Sequence, residues 1–328
     1  MNFKNFVVAS GLALASAGAS AAADLAWIEG LYNTGEVFFA GEQDTNYAFT
    51  VINGTATGTG GYGITENWVP DNMGHDPYAK NPMLQTGENV AARYGISTAE
   101  QHELKLHRYH QYLDALAHDR AFQKRYMVDV PLSDSKFRKQ TGTLSVDEGI
   151  FPTTAEGLAK LKPVKEGGTI TFGGQTHPAD GNAGAIVTTR ERARDVATDK
   201  AIEVEILGFG MARVEPGYMP MAPSPAAVNA MKHAGVDIGG IDAIKTHNPF
   251  AVNDIALARD TGFAWQKMNN YGSSIVWGHP QAPTGMRAII ELIEELALRG
   301  GGVGLFTGCA AGDSGYATVI RVTDSRKG

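Results

Sequence analysis

The chain has 328 residues, 43% apolar and 19% charged, with a formal net charge of −7. That length asks for two or three structural units, and an acidic chain without a basic stripe argues against nucleic-acid binding. A single cysteine, Cys309, excludes an internal disulfide, as in a reducing compartment, and no stretch is long and apolar enough to be a membrane span.

The first residues, MNFKNFVVASGLALASAGASAAAD, place Lys4 before an apolar run and then Ala19-Ser20-Ala21. That is the layout of a secretory signal cleaved after Ala21; an Ala-rich buried strand and helix start would use the same letters. Residues 25–85 are rich in loop formers. Gly58, Gly60 and Gly63 have dinucleotide-fingerprint spacing, but Pro70 follows early and no helix opens there, so a mobile or functional glycine loop is expected instead. Asn53-Gly54-Thr55 is a glycosylation sequon by pattern only.

Residues 86–126 read as helical. Thr86 can cap the first helix and Gly95 stops it; Ser97 and Glu100 form a capping box for the second. The second helix carries His102, His107, His110 and His118, with no acid or cysteine to complete a metal set, so these are solvated or packed side chains. From residue 167 strands and helices alternate. GGTITFGG is a strand bounded by glycines, and DGNAGAIVTTRERARDVA is a small-residue turn, a strand and a helix. AIEVEILGFG is a strand with Ile202, Val204 and Ile206 on one face. Ser224 caps a helix ending near Gly235. Met286, Ile289, Ile290, Ile293 and Leu296 form the core stripe of another, ended by Gly300. Two strands close the chain, with Cys309 in the turn between them.

Three late segments put reactive groups beside glycine or proline at the ends of strand-like runs: KTHNPFAVND, NNYGSSIVWGHPQAPTG and GLFTGCAAGDSG. A histidine near a cysteine can lower the thiol pKa from about 8.5 and exchange protons with it at neutral pH. In order and spacing, HNPF, then GHP, then GC in a glycine-rich hairpin resemble the thiolase superfamily. The histidine in HNPF resembles the sterol-carrier-protein-type branch, and MLQTGENVAARYGISTAEQHELKLHRY resembles the family's helical loop domain.

The resemblance implies an α/β thiolase fold, layered αβαβα with two related halves and an inserted loop domain. It places an incomplete N-terminal half at residues 1–45 and 165–197, the loop domain at 46–164 and the C-terminal half at 198–328. It implies acyl transfer between CoA thioesters, by 3-ketoacyl-CoA cleavage or Claisen condensation, with CoA as substrate and no metal or other cofactor. Cys309 would be the acid/base cysteine, His279 would activate the nucleophile and hold the thioester oxygen, and His247 would complete the oxyanion site. Pro249 and Phe250 would line the pantetheine channel, Thr176 and His177 would contact CoA, and Gly278 and Ala311 would shape the acyl pocket. Ala311 stands where the family pattern has glycine. The second, nucleophilic cysteine of the family is lacking: its place falls in SAGAS, residues 16–20, where Ser16 or Ser20 stands instead. A homodimer in the cytoplasm is implied. Family members without Claisen activity pair with a small zinc-bearing OB-fold protein, so a non-condensing CoA-ester-binding subunit or a retro-aldolase is the alternative.

Overall fold

The computed structural model describes residues 73–327, apart from Pro77, Ser135 and Phe137, and the backbone of three strands upstream: β1 (Val37–Gln43), β2 (Phe49–Ile52) and β3 (Gly63–Glu66). The signal-like start, residues 16–20, the sequon and most of the glycine loop lie outside the described residues. Strands β2 and β3 pair antiparallel, so the region read as loop contains a hairpin.

The chain divides into two compact units, Met1–Phe39 with Ala185–Val196, and Ala40–Gly184 with Ala197–Gly328. The elements that follow are α1 (Met83–Tyr94), α2 (Thr98–Arg120), β4 (Val130–Ser133), β5 (Gln140–Leu144), α3 (Ala155–Ala159), β6 (Gly181–Val187), α4 (Arg190–Val196) and β7 (Ile202–Arg213). Then come α5 (Pro223–Ala234), β8 (Ala243–His247), α6 (Ala251–Thr261), α7 (Ser274–Trp277), α8 (Thr284–Arg299), β9 (Gly301–Ala310) and β10 (Ser314–Asp324). In the first unit, α4 buries none of its residues.

The main sheet of the second unit runs β7-β10-β9-β8, with β8 and β9 parallel and the other pairs antiparallel. The period-2 alternation of β9 and β10 gives the sheet two apolar faces. Phe306, Ile320 and Val322 pack with Ala288, Leu292 and Leu296 of α8. Leu305, Ala317 and Val319 belong to the larger core with Ala226, Ala227 and Ala230 of α5 and Val252, Ile255 and Ala256 of α6. Helix α8 ends at Gly300 in the left-handed region (φ 91°), as its sequence predicts. Its buried seam is Ala288, Leu292 and Leu296, however, with Ile289 and Ile293 only flanking it. A seam of Met286 and Ile290 loses because Glu291 and Glu295 turn inward, to Lys245 and Asn270.

Helix α5 lies unusually close to β7. A Cβ at Gly210 would stand 2.3 Å from the backbone of Ala226 and Ala230, and one at Gly208 2.7 Å from Ala234 N. Small residues on both sides make that approach possible. Gly210→Ala is expected to lower stability by about 3 kcal/mol through overpacking against immovable backbone, read as a reduced urea midpoint at unchanged m-value.

Several local expectations change. GGTITFGG is not a strand: Glu88 takes the amides of Thr169 and Ile170 (2.9 Å each), and residues Phe172–Gly174 turn into a 3-10 helix. A carboxylate that claims two successive N–H groups leaves none for a ladder. Helix α1 begins at Met83, and the Thr86 hydroxyl donates to Met83 O inside it. Ser97 does cap α2, accepting from Glu100 N at 3.2 Å, while the Glu100 carboxylate turns to Arg259. Ser224 does not cap α5; the helix starts at Pro223, with a buried, unpartnered Ser224 Oγ in its first turn. Val204 and Ile206 are exposed, while Ile202 on the same β7 face packs against the cluster that includes α8. His102 bonds the Thr171 hydroxyl and His107 the Gln266 carbonyl.

Candidate active site

The site is assembled where β8 and β9 end. His247 closes β8, paired with Gly308, and Cys309 follows as the penultimate residue of β9. Cys309 therefore lies in a strand, paired with Gly315; the turn is Ala311–Asp313. Its ladder bonds hold it there, and the tight turn beyond uses positive φ at Gly312 (77°) and Asp313 (53°). Ala311 is exposed on this turn. His279 follows the short helix α7, not a strand, and is tied down by its N–H donating to His177 O at 2.8 Å. Between them Gly278 turns at φ 96°. A Cβ there would stand 2.7 Å from Ala179 Cβ and 2.9 Å from His177 Nε2, so only glycine fits.

The two imidazoles lie against each other, tilted by 34°, with ring centroids 4.2 Å apart. Their tautomers follow from hydroxyls that have already spent their protons. Ser274 Oγ donates to Asn248 Oδ1 (3.0 Å) and accepts from Asn248 N (3.1 Å), so its contact with His247 Nδ1 (3.0 Å) must take a proton from the ring. Thr284 Oγ1 donates to Pro280 O (2.5 Å), so His279 Nδ1 at 2.8 Å also donates. Each neutral ring is thus left with a bare Nε2, an acceptor and base. Burial pushes His279 down to about 4. Burial, and then the neighbouring His279, holds His247 well below the usual imidazole range.

Cys309 has a different partner from the one its sequence suggests. Asn253 Nδ2 donates to the sulfur at 3.4 Å, and burial pushes the thiol up to about 12. Among the described residues no hydrogen bond joins the sulfur to either histidine, so an imidazole does not depress its pKa here.

The frame behind the site is a buried polar network. Asp254 and Arg108 form an ion pair at 2.9 Å, both fully buried. Asp254 also accepts from Asn248 Nδ2 (2.7 Å), Asn269 Nδ2 (3.1 Å) and the Thr246 hydroxyl (2.5 Å). Asn248 in turn receives Ile275 N and donates to Ser273 Oγ. Every link fixes either His247 or the segment leading to His279. The sequence motifs did not single out Asn253, Ser274, Thr284 or Asp254; their adjacency to HNPF and GHP was the available signal.

Pro249 is buried and its carbonyl accepts Thr176 N at 2.7 Å, while Thr176 Oγ1 donates to Ser274 O at 2.5 Å. Thr176 thus braces the two histidine segments together. Phe250 is 6% exposed, in the core against Gly87 and Ile170. His177 sits half-buried beside Gly278, with no partner for its Nε2 among the described residues.

Residues 54–191 match the family model "Thiolase, N-terminal domain", and residues 200–322 match "Thiolase, C-terminal domain". The chain belongs to the thiolase family. It is 34% identical over 248 residues to "3-ketoacyl-CoA thiolase A, peroxisomal" of Mus musculus, covering 73% of this chain and 57% of that one. With "Acetyl-CoA acetyltransferase" of Syntrophomonas wolfei it shares 33% over 238 residues, 72% of this chain and 58% of the other. The solved human mitochondrial 3-ketoacyl-CoA thiolase in complex with CoA superposes with a TM-score of 0.75 at 28% identity, over 88% of this chain and 71% of that one. This thiolase chain therefore spans a little over half the length of the curated relatives it matches, and its α/β fold is theirs.

Proposed function

We propose that this chain carries out thiolase-type acyl transfer on CoA thioesters, cleaving 3-ketoacyl-CoA with CoA or running the reverse condensation. The observation that carries this reading is the close His247–His279 pair, with both Nδ1 protons committed and both Nε2 atoms free of protein partners among the described residues. A base of this kind takes a thiol proton as acyl transfer begins. Once protonated at Nε2, it donates to the thioester oxygen as negative charge gathers there. One such donor contributes on the order of 3 kcal/mol at an oxyanion. Cys309 is the acid/base that exchanges a proton with the α-carbon or with incoming CoA. The unpartnered His177 Nε2 supports a role in bonding the CoA ester, with Thr176 bracing the wall and Pro249, Gly278 and Ala311 around it.

In this proposal residues 1–45 and 165–197 form the N-terminal half, 46–164 the loop domain and 198–328 the C-terminal half, assembled as a homodimer in the cytoplasm. No helix among the described residues is long and apolar enough to cross a membrane. The single cysteine favours a second reading, since family chemistry uses two: a non-condensing CoA-ester-binding subunit or a retro-aldolase paired with a zinc-bearing OB-fold protein.

Thiolysis of a 3-ketoacyl-CoA panel tests the choice. Turnover that falls roughly 10²–10⁴-fold in both Cys309→Ala and His279→Ala supports acyl transfer through this site. CoA-ester binding without turnover in the unsubstituted protein supports the second reading, and co-purification with an OB-fold protein would name its partner.

A further inference from the structure

We propose that Asn253 is a positioning residue for Cys309, holding the sulfur through an N–H···S bond and favouring its thiolate. The inference rests on the acid/base role proposed for Cys309.

The orientation of the Asn253 amide is settled by its surroundings. The side chain is 2% exposed, in the first turn of α6. Its Oδ1 accepts the backbone N–H of Phe250 at 3.2 Å, a partner that can only donate. The NH₂ group therefore faces the other way, where Nδ2 lies 3.4 Å from Cys309 Sγ and 3.5 Å from Pro220 O. With one N–H directed to a carbonyl, the second is left for the sulfur. The sulfur accepts at this contact, so the thiol proton is directed elsewhere and remains free for transfer.

An N–H donor stabilises a sulfur anion more than a neutral thiol, because the charged acceptor makes the stronger bond. Burial works most strongly against the anion, and Asp313 on the hairpin turn adds to it, while Asn253 and, after it, the backbone N–H of Cys309 oppose both. His247 and His279 are held neutral by their burial. Asp254, next to Asn253 on α6, is neutralised by Arg108. The segment Met219–Met221 offers no titratable side chain. Among these neighbours, Asn253 is the side chain that both touches the sulfur and favours its ionised form.

Because the chain has one cysteine, intact-protein mass after iodoacetamide treatment reads Cys309 alone. Asn253→Asp keeps the shape and the acceptor for Phe250 N–H but removes the donor; Asn253→Leu removes both. Alkylation near neutral to mildly alkaline pH is expected to slow about tenfold or more in each variant that remains folded by circular dichroism, the loss of thiolate that a shift of about one pKa unit produces. A purely structural role predicts the opposite sign, since loosening the site exposes the thiol and speeds alkylation. An unchanged or faster rate in the folded variants overturns the proposal. The assay needs neither CoA ester nor turnover. Slowed alkylation in a protein without thiolysis would leave the Asn253 assignment standing and remove the catalytic reading; unchanged alkylation beside normal thiolysis would do the reverse.

Discussion

Arg108→Met is expected to cost about 3–5 kcal/mol of stability, the loss typical when one partner of a buried ion pair is removed. Arg108 supplies Asp254 with two N–H bonds, at 2.9 and 3.1 Å, and also donates to the carbonyls of Trp265 and Met268. Without it, a carboxylate that is fully buried keeps only the neutral donors Thr246, Asn248 and Asn269. Urea unfolding at neutral pH reads the effect as a fall in midpoint. Adding Asp254→Leu to Arg108→Met is expected to cost clearly less than the sum of the two single changes, because the stranded charge is gone. Strict additivity would mean that the pair does not act as a unit.

The second large effect is on pH dependence. The folded protein protonates His279 only near pH 4, and His247 well below the ordinary range, whereas the unfolded chain protonates both near 6.5. Between these limits the unfolded state holds more protons. Stability is therefore fully present above about pH 6.5 and is lost as pH falls toward 4, by about 3 kcal/mol for His279 alone. Urea midpoints at pH 7 and pH 4.5 measure this. His279→Gln is expected to flatten the profile; an equally steep profile in that variant would place the titrating group elsewhere.

Much of the fold and of the candidate site is legible in the sequence. The stop at Gly300 worked because a left-handed cap is a local property of glycine, and the cap at Ser97 because a hydroxyl reaches an amide three residues on. HNPF, GHP and GC are legible because their order and spacing resemble the thiolase superfamily. What failed depended on distant partners. Residues 167–174 have strand composition, but Glu88, some eighty positions earlier, takes their amides. The imidazole expected beside Cys309 is replaced by Asn253, brought in by the first turn of α6. Phe250 follows the motif histidine closely yet faces the core, because Gly87 of α1 leaves room for its ring.

The network centred on Asp254 has a consequence for how the protein fails. Its members come from α2, β8, α6 and the segment before α7, so the histidine frame has no loose edge from which to fray. Binding sites are commonly drawn from the least protected parts of a fold, which open locally many times for each global unfolding. Here the amides of Asn248 and Ile275 are bonded to buried side chains that the ion pair itself secures. Solvent deuterium is expected to reach them only when the whole unit lets go, so that the histidine frame and the fold share one lifetime.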